Sequence, residues 1–178
     1  MFKKIFAISI MVLLLNGVGW AFQERVEWPT LSSPEGRFSA LMPEKPKTSV
    51  QHVDTAVGKL AYYSFASSNN TCHFMISYAD YPHEPASATQ TEAVLDGVRG
   101  GVMKGLAAEL MSETKVTLNG HPGRELRAKK MSEGSEVVFS WKMFLVGRRL
   151  YQMAVVTSKA NAESADIQKF FTSFQLSN

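Results

Sequence analysis

Residues 79–85, ADYPHEP, bring together side chains of types that bind metal ions. Asp80, His83 and Glu84 lie in a loop that its prolines would stiffen. Imidazole and carboxylate groups at short spacing can hold zinc or manganese. However, no HExxH motif or paired Cys/His spacing is present, and polar residues are common in proline-rich surface loops. A metal-dependent or hydrolytic enzyme that uses the 80–84 loop is therefore the alternative hypothesis for function.

Motifs for nucleophilic catalysis and for nucleotide binding are missing from the sequence. It has no GxSxG elbow and no P-loop, and its four histidines are dispersed along the chain at positions 52, 73, 83 and 121. Catalytic triads are assembled in space, so this observation alone does not exclude an enzyme. It favours a non-enzymatic protein without a cofactor.

The segment TLNGHPGRELRA, residues 117–128, looks like a motif but is better explained as a turn. Asn119-Gly120 is a strong turn dipeptide because both residues tolerate positive φ. Gly123 is expected to relieve strain in a following bend. His121 is the one residue left for chemistry, and the local sequence offers no partner that would orient it as a base.

Three glycines recur every four residues inside a helical pattern: Gly97, Gly101 and Gly105. Glycine costs roughly 1 kcal/mol relative to alanine in a helix interior, so the repetition needs a reason. The simpler interpretation is tight packing of the helix on its own sheet. The other interpretation is a groove in which a partner protein or small ligand lies against the bare backbone.

The first 21 residues have the features of a secretory signal peptide. Lys3 and Lys4 precede the apolar run 5–15, and Gly19 and Ala21 place small residues two apart. The apolar run is shorter than the roughly 20 residues that a membrane-spanning helix needs. We therefore predict an exported protein, periplasmic or secreted, with no stable membrane span and with residues 22–178 as a single domain.

Charge and cysteine content narrow the function further. The chain has 19 Lys+Arg and 16 Asp+Glu, and removing the two lysines of the signal leaves 17 against 16. This near-neutral balance argues against nucleic acid as a partner. The local basic cluster, Arg124, Arg127, Lys129 and Lys130, is interpreted as a solvated strand face. Cys72 is the only cysteine, so no internal disulfide forms, and it is predicted to be a small buried hydrophobe.

The remaining pattern is strands, helix, strands, helix. Two helices are predicted at about 90–110 and 162–174, the first with a capping box at Thr89 and Glu92. Strand-like runs cover residues 37–42, 47–57, 59–68, 71–81, 112–119, 123–130, 136–146 and 150–158. Short turns between runs imply antiparallel neighbours, which predicts an α+β fold with both helices against one large antiparallel sheet. The pattern leaves open whether the helices cover the same face or opposite faces.

Four segments in order give the chain a resemblance to the PsbP-like family of exported domains. They are FSALMPEKP (38–46), NGHPGREL (119–126), VGRRLYQMAV (146–155) and FFTSFQL (170–176). The resemblance implies an α-β-α sandwich built on a central antiparallel sheet. It implies no catalytic residues, and so an exported binding or accessory domain that recognises a cell-envelope protein or a small ligand.

Overall fold

The computed structural model describes residues 27–55 and 57–177, so the predicted signal peptide lies outside the described residues. Seven strands form one antiparallel sheet in the order β3-β4-β5-β9-β8-β7-β6. Every pair of neighbours in this sheet is antiparallel, which confirms the α+β prediction. The strands are β3 (Lys47–Thr55), β4 (Gly58–Ser68), β5 (Cys72–Asp80), β6 (Glu109–Leu118), β7 (His121–Ser132), β8 (Ser135–Val146) and β9 (Arg149–Ser158).

A second, three-stranded sheet lies near the chain ends and was not predicted. Its strands are β1 (Thr30–Ser33), β2 (Phe38–Leu41) and β10 (Gln175–Leu176), with β2 between the other two. The sequence indicated β2 alone. Strands of four and two residues are too short to show alternation, so only pairing with β2 in the folded chain reveals them.

The two helices are α1 (Ala88–Leu106) and α2 (Ala165–Ser173), each shorter than predicted. Ser87, not Thr89, caps α1, since its side chain accepts a hydrogen bond from the backbone N–H of Gln90. The helix ends at Leu106 because Ala107 adopts a left-handed conformation with φ of 49°. The chain then enters β6, so the predicted helical residues 107–110 are not helical.

The seven-stranded sheet has an apolar core on each face. Phe144 and Tyr151 belong to the first core, whereas their chain neighbours Leu145 and Leu150 belong to the second. Successive side chains of a strand point to opposite faces, so the two cores are separated by the sheet. α2 packs in the first core with the three-stranded sheet, and α1 contributes the buried Leu95 to the second.

The helices therefore lie on opposite faces, as the resemblance implied and as the sequence pattern alone left open. The predicted apolar stripe of α2 is buried in the first core: Ile167, Phe170, Phe171 and Phe174. In α1 the predicted stripe is buried only at Leu95, while Val98, Val102 and Leu106 are half-buried. α1 is thus attached to the sheet by a smaller apolar contact, which leaves room for polar contacts beside it.

The segment that looked like a motif is a turn, as predicted. Asn119 and Gly120 have φ of 50° and 83° and join β6 to β7. The role predicted for Gly123 was wrong, because this residue lies inside β7 and not at a bend. A Cβ atom there would meet the Phe144 ring at 2.5 Å and the carbonyl oxygen of Met143 at 2.3 Å. Only glycine lets this ring and the neighbouring strand approach so closely.

Candidate functional site

Asp80, the first member of the predicted metal trio, is held by an arginine. Its two carboxylate oxygens accept hydrogen bonds from Nε and Nη2 of Arg149, each at 2.7 Å. This bidentate pair links the last residue of β5 to the first residue of β9. The hydrogen bonds from Arg149 hold the pKa of Asp80 below its ordinary value, so the carboxylate is ionised and already paired.

Arg149 makes two further contacts besides Asp80, so the Asp80–Arg149 pair contributes to holding the fold together. Its Nη1 donates to the backbone carbonyl of Glu35 at 2.7 Å, and its guanidinium lies 4.7 Å from the centre of the Tyr78 ring. The next residue on the same face, Tyr151, donates its hydroxyl to the carbonyl of Gly36 at 2.7 Å. Together these contacts attach the turn after β1 to the large sheet.

His83 and Glu84, the other two members of the trio, are exposed on the loop between β5 and α1. The Glu84 carboxylate lies over the turn between β8 and β9, 3.7 Å from an ideal Cβ position on Gly147. Within residues 27–55 and 57–177, no three His, Cys, Asp or Glu side chains are arranged to hold a metal ion. The metal hypothesis stays a prediction, which calorimetric titration with zinc and manganese tests.

His121, the residue of the turn segment that was left for chemistry, lies on a strand that is not a neighbour of the strand ending in Asp80. It begins β7 and is half-buried, whereas Asp80 ends β5. Strands β9 and β8 lie between these two strands. Three inter-strand spacings of about 4.8 Å put His121 about 14 Å from Asp80 across the sheet.

A charged cluster that the sequence did not predict joins α1 to strands β6 and β7. The side chain of Arg124 is only 5% exposed, so its interpretation as part of a solvated strand face was wrong. Its Nε donates to Glu113 at 3.0 Å, and its Nη2 contacts Glu92 and, at 3.5 Å, Asp96. One guanidinium thus serves three carboxylates, two from α1 and one from β6.

Two further cations complete this cluster, which we call the Arg124 cluster. Arg99 donates to Glu113 at 2.8 Å, and Lys115 contacts Glu92 at 2.9 Å. The cluster lines an open cleft of about 410 Å³ between α1 and the sheet: Glu92, Asp96, Arg99, Glu113, Lys115 and Arg124. Hydrogen bonds from Arg124 and Lys115 lower the pKa of Glu92 to about 2. Three cations face three carboxylates, so the cleft is charge-balanced and acts as a clamp on α1.

The spacing of charges along the sequence could have indicated part of this cluster. Glu92, Asp96 and Arg99 recur at four and three residues, so they lie on one side of α1. The buried position of Arg124 has no such signal, since a single arginine in a basic strand resembles a surface residue. Its partners come from elements 11 to 32 residues away, and only the fold brings them together.

The glycine line of α1, Gly97, Gly101 and Gly105, is exposed. Within residues 27–55 and 57–177, an ideal Cβ atom on each of these glycines meets no heavy atom of another part of the chain within 4 Å, and the same holds for Gly100. The structure therefore does not have the tight internal packing that was the simpler interpretation. The bare backbone of α1 faces open space on the side away from the sheet.

Comparison with known proteins supports the fold and leaves the activity open. No protein-family model matches the chain, and no curated protein sequence matches it. Among solved structures, the cyanobacterial PsbP protein (CyanoP) from Synechocystis sp. PCC 6803 is similar with a TM-score of 0.54 at 13% identity. The match covers 90% of this chain and 96% of CyanoP.

Two further solved structures match with TM-scores under 0.5. A Bacteroides thetaiotaomicron VPI-5482 protein has a TM-score of 0.49 at 14% identity; the match covers 85% of this chain, which spans about half (49%) of that protein. A Pseudomonas aeruginosa protein of unknown function, described as a putative regulator, has a TM-score of 0.43 at 12% identity. That match covers 80% of this chain and 90% of that protein.

The class that the fold defines is thus an α+β sandwich with a PsbP-like fold. At 13% identity the similarity to CyanoP concerns the fold alone, and it transfers no partner and no site residue. Among the described residues, no helix combines the length and apolar character needed to cross a bilayer. Function must therefore be argued from the surfaces of this chain itself.

Proposed function

We propose that this chain is an exported, non-enzymatic accessory domain that recognises a cell-envelope protein, or a small ligand, through the glycine line of α1. Residues 22–178 form its single domain, and the predicted signal peptide, residues 1–21, directs its export to the periplasm or the medium. No cofactor and no nucleic acid enter this proposal.

The open side of α1 is the observation that supports the proposal. Each glycine in a helix interior costs roughly 1 kcal/mol relative to alanine, and no contact among the described residues explains three of them on one line. Glycines four residues apart lie on one side of a helix and allow another backbone to approach closely. A helix of a partner protein is the element that such a strip fits best.

The state of the ionisable side chains also supports a binding protein over an enzyme. Asp80 is held by Arg149, and Arg124 is held by Glu92 and Glu113. Groups fixed in ion pairs that join elements of the fold contribute to its stability and are not poised to react with a substrate. Recognition then depends on surfaces that are free of such pairs.

Affinity capture from an envelope extract with the Gly101→Leu variant tests this proposal. Because a side chain at Gly101 meets open space, the variant should fold with an unchanged or higher melting temperature. Proteins captured by the wild type should be lost, since the leucine would hold a partner backbone away. The matched control is Gln168→Leu, an exposed position on α2 on the opposite face of the sheet.

The proposal predicts that Gln168→Leu captures the same proteins as the wild type. If Gly101→Leu also captures them in equal amount, the glycine line is not the recognition site. If Gly101→Leu fails to fold, the glycines serve internal packing and the proposal is wrong. Circular dichroism of both variants separates these outcomes.

A further inference from the structure

Strand β3 forms an edge of the large sheet and is open along its whole length. It pairs with β4 on one side, and no other strand of the described residues pairs with it on the other side. The first eight of its nine residues are exposed. An edge strand presents unpaired backbone N–H and C=O groups, which can pair with another extended chain.

β3 lacks the bulge and the ion-paired charges of the opposite edge strand, β6. A bulge interrupts β6 between Leu110 and Ser112, and its charged residues are engaged in ion pairs with α1 and β7. In β3 the pairing with β4 is regular over all nine residues, and no proline or bulge interrupts it. Natural sheets use bulges, prolines and charges to prevent edge pairing. β3 has no bulge and no proline, and its two charged residues lie near its ends, so its central residues remain competent to pair.

Apolar side chains on both faces of β3 add to the backbone groups. Val50 is 53% exposed and lies opposite Tyr63, whose ring stacks on Tyr78 with centroids 4.9 Å apart. Val53 is 41% exposed and lies opposite the buried Leu60 on the other face. A pairing strand would cover one valine on each face, which gives it side-chain contacts of the kind that stabilise sheets.

The charges of β3 indicate what kind of strand pairs with it. Its charged residues are Lys47 near one end and Asp54 near the other, and no ion pair among the described residues involves either of them. Lys47 is at an odd position and Asp54 at an even one, so their side chains point to opposite faces. An antiparallel strand complements both charges if it carries an acid opposite Lys47 and a base opposite Asp54.

A second copy of β3 would not supply this complement. Two identical antiparallel strands are related by a two-fold axis perpendicular to the sheet. Odd-numbered residues of both copies then lie on the same face, so an odd-numbered residue can pair only with an odd-numbered one. Lys47 would therefore meet only Lys47, Ser49, Gln51, Val53 or Thr55 of the other copy, and Asp54 would meet only Thr48, Val50, His52 or Asp54. No acid lies within the first set, so self-pairing leaves Lys47 without a partner.

We infer that β3 is a docking edge for an extended segment of another protein, which adds an antiparallel strand to the sheet. Read from its N-terminus, the segment has a base, an apolar residue, two variable residues, a second apolar residue, two variable residues and an acid. The base meets Asp54, the apolar residues meet Val53 and Val50, and the acid meets Lys47. This surface is separate from the glycine line of α1, and the inference holds whether or not that line binds a partner.

Fluorescence anisotropy with a labelled peptide tests the inference. The probe is the octapeptide Lys-Val-Thr-Thr-Val-Thr-Thr-Glu, with blocked ends, titrated with protein purified after expression of the full chain. We expect saturable binding that weakens about ten-fold in a Val50→Lys, Val53→Lys double variant, from the loss of two cross-strand contacts and the added charge. Both valines are exposed, so the variant should fold.

Two controls make the result specific to β3. Met111→Lys changes an exposed apolar residue on the other edge strand and should leave peptide affinity unchanged. A peptide with its terminal glutamate and lysine exchanged should bind less tightly than the probe. The inference is wrong if the probe shows no saturable binding up to millimolar protein, or if the exchanged peptide binds as tightly.

Sedimentation velocity tests the alternative in which β3 pairs with a second copy of this chain. A dimer of the wild type that the Val50→Lys, Val53→Lys variant abolishes would show that β3 pairs with its own copy, and would overturn the inference. A wild type that sediments as a monomer and binds the probe supports it.

Discussion

At the scale of residues, the attachment of α1 depends most directly on Arg124. This guanidinium is nearly inaccessible to solvent and bridges Glu92 and Asp96 of the helix to Glu113 of the sheet. The planar fork of arginine presents five donors in fixed directions, so it can serve several carboxylates at once. Among the described residues, the other cations that contact these carboxylates, Arg99 and Lys115, are much more exposed.

Replacing Arg124 with methionine should destabilise the fold. The variant keeps much of the side-chain volume but leaves Glu113 and Glu92 without their common partner, which we expect to lower the free energy of unfolding by about 2–3 kcal/mol. The matched control is Lys115→Met, which also removes a cation from Glu92. Lys115 is 73% exposed, so the control should cost less than about 1 kcal/mol. Urea unfolding measures both, and equal effects of the two variants would contradict the role given to Arg124.

The pH dependence of stability should also reflect this cluster. The pKa of Glu92 is about 2 in the folded chain and 4.5 ordinarily, so unfolding takes up a proton between these values. The stabilisation from Glu92 is therefore complete above pH 4.5 and is lost as the pH falls towards 2. In thermal unfolding followed by circular dichroism, Glu92→Gln should have a lower melting temperature than the wild type at pH 7. The difference between the two melting temperatures should narrow below pH 4.5. A difference that stays constant down to pH 2 would contradict this assignment.

At the scale of elements, α1 has one fully buried apolar residue, Leu95, with the partly buried Val94, Val98 and Met103 packed against the same core. Its outward side has no side chains at its glycines. Gly97→Ala and Gly101→Ala should each raise the free energy of unfolding by about 0.5–1 kcal/mol, because alanine reduces the backbone freedom of the unfolded chain and no described residue lies where the new methyl group would be. Chemical unfolding of the two variants measures the gain. A loss of stability in either would show that the helix packs more closely than the structure describes.

Gly123→Ala should have the opposite effect and lower the free energy of unfolding in the same chemical unfolding experiment. Its Cβ atom would lie 2.3 Å from the backbone oxygen of Met143, so β7 and β8 would have to separate locally. Overpacking of this kind typically costs about 1–3 kcal/mol. The three glycine variants together therefore separate glycines that serve packing from those that do not.

Several elements could be predicted from the sequence because their signals are local. The bounds of β8 and β9 were predicted to within one residue, since alternation, flanking Gly residues and turn dipeptides coincide there. The helix ends were predicted less well. The end of α1 depends on Ala107 in a left-handed conformation, and alanine carries no sequence signal for that state.

At the scale of the whole molecule, one sheet carries both cores, and each face is covered in a different way. α2 and the three-stranded sheet cover one face with a large aromatic core, including Phe38, Phe74 and Phe170. α1 covers the other face over a smaller apolar core and adds the Arg124 cluster. The unequal covering leaves the outward side of α1 and the edge strand β3 as the surfaces most open to partners.

The sequence by itself determined the class of fold, the positions of the seven strands of the large sheet and the turn at Asn119-Gly120, because periodicity and turn chemistry act over a few residues. Only the tertiary structure decided that the helices lie on opposite faces, that Arg124 is buried among carboxylates and that the glycine line faces outwards. These features depend on which distant elements meet. Burial and ion pairing are properties of the assembled layers, and no local pattern in the sequence encodes them.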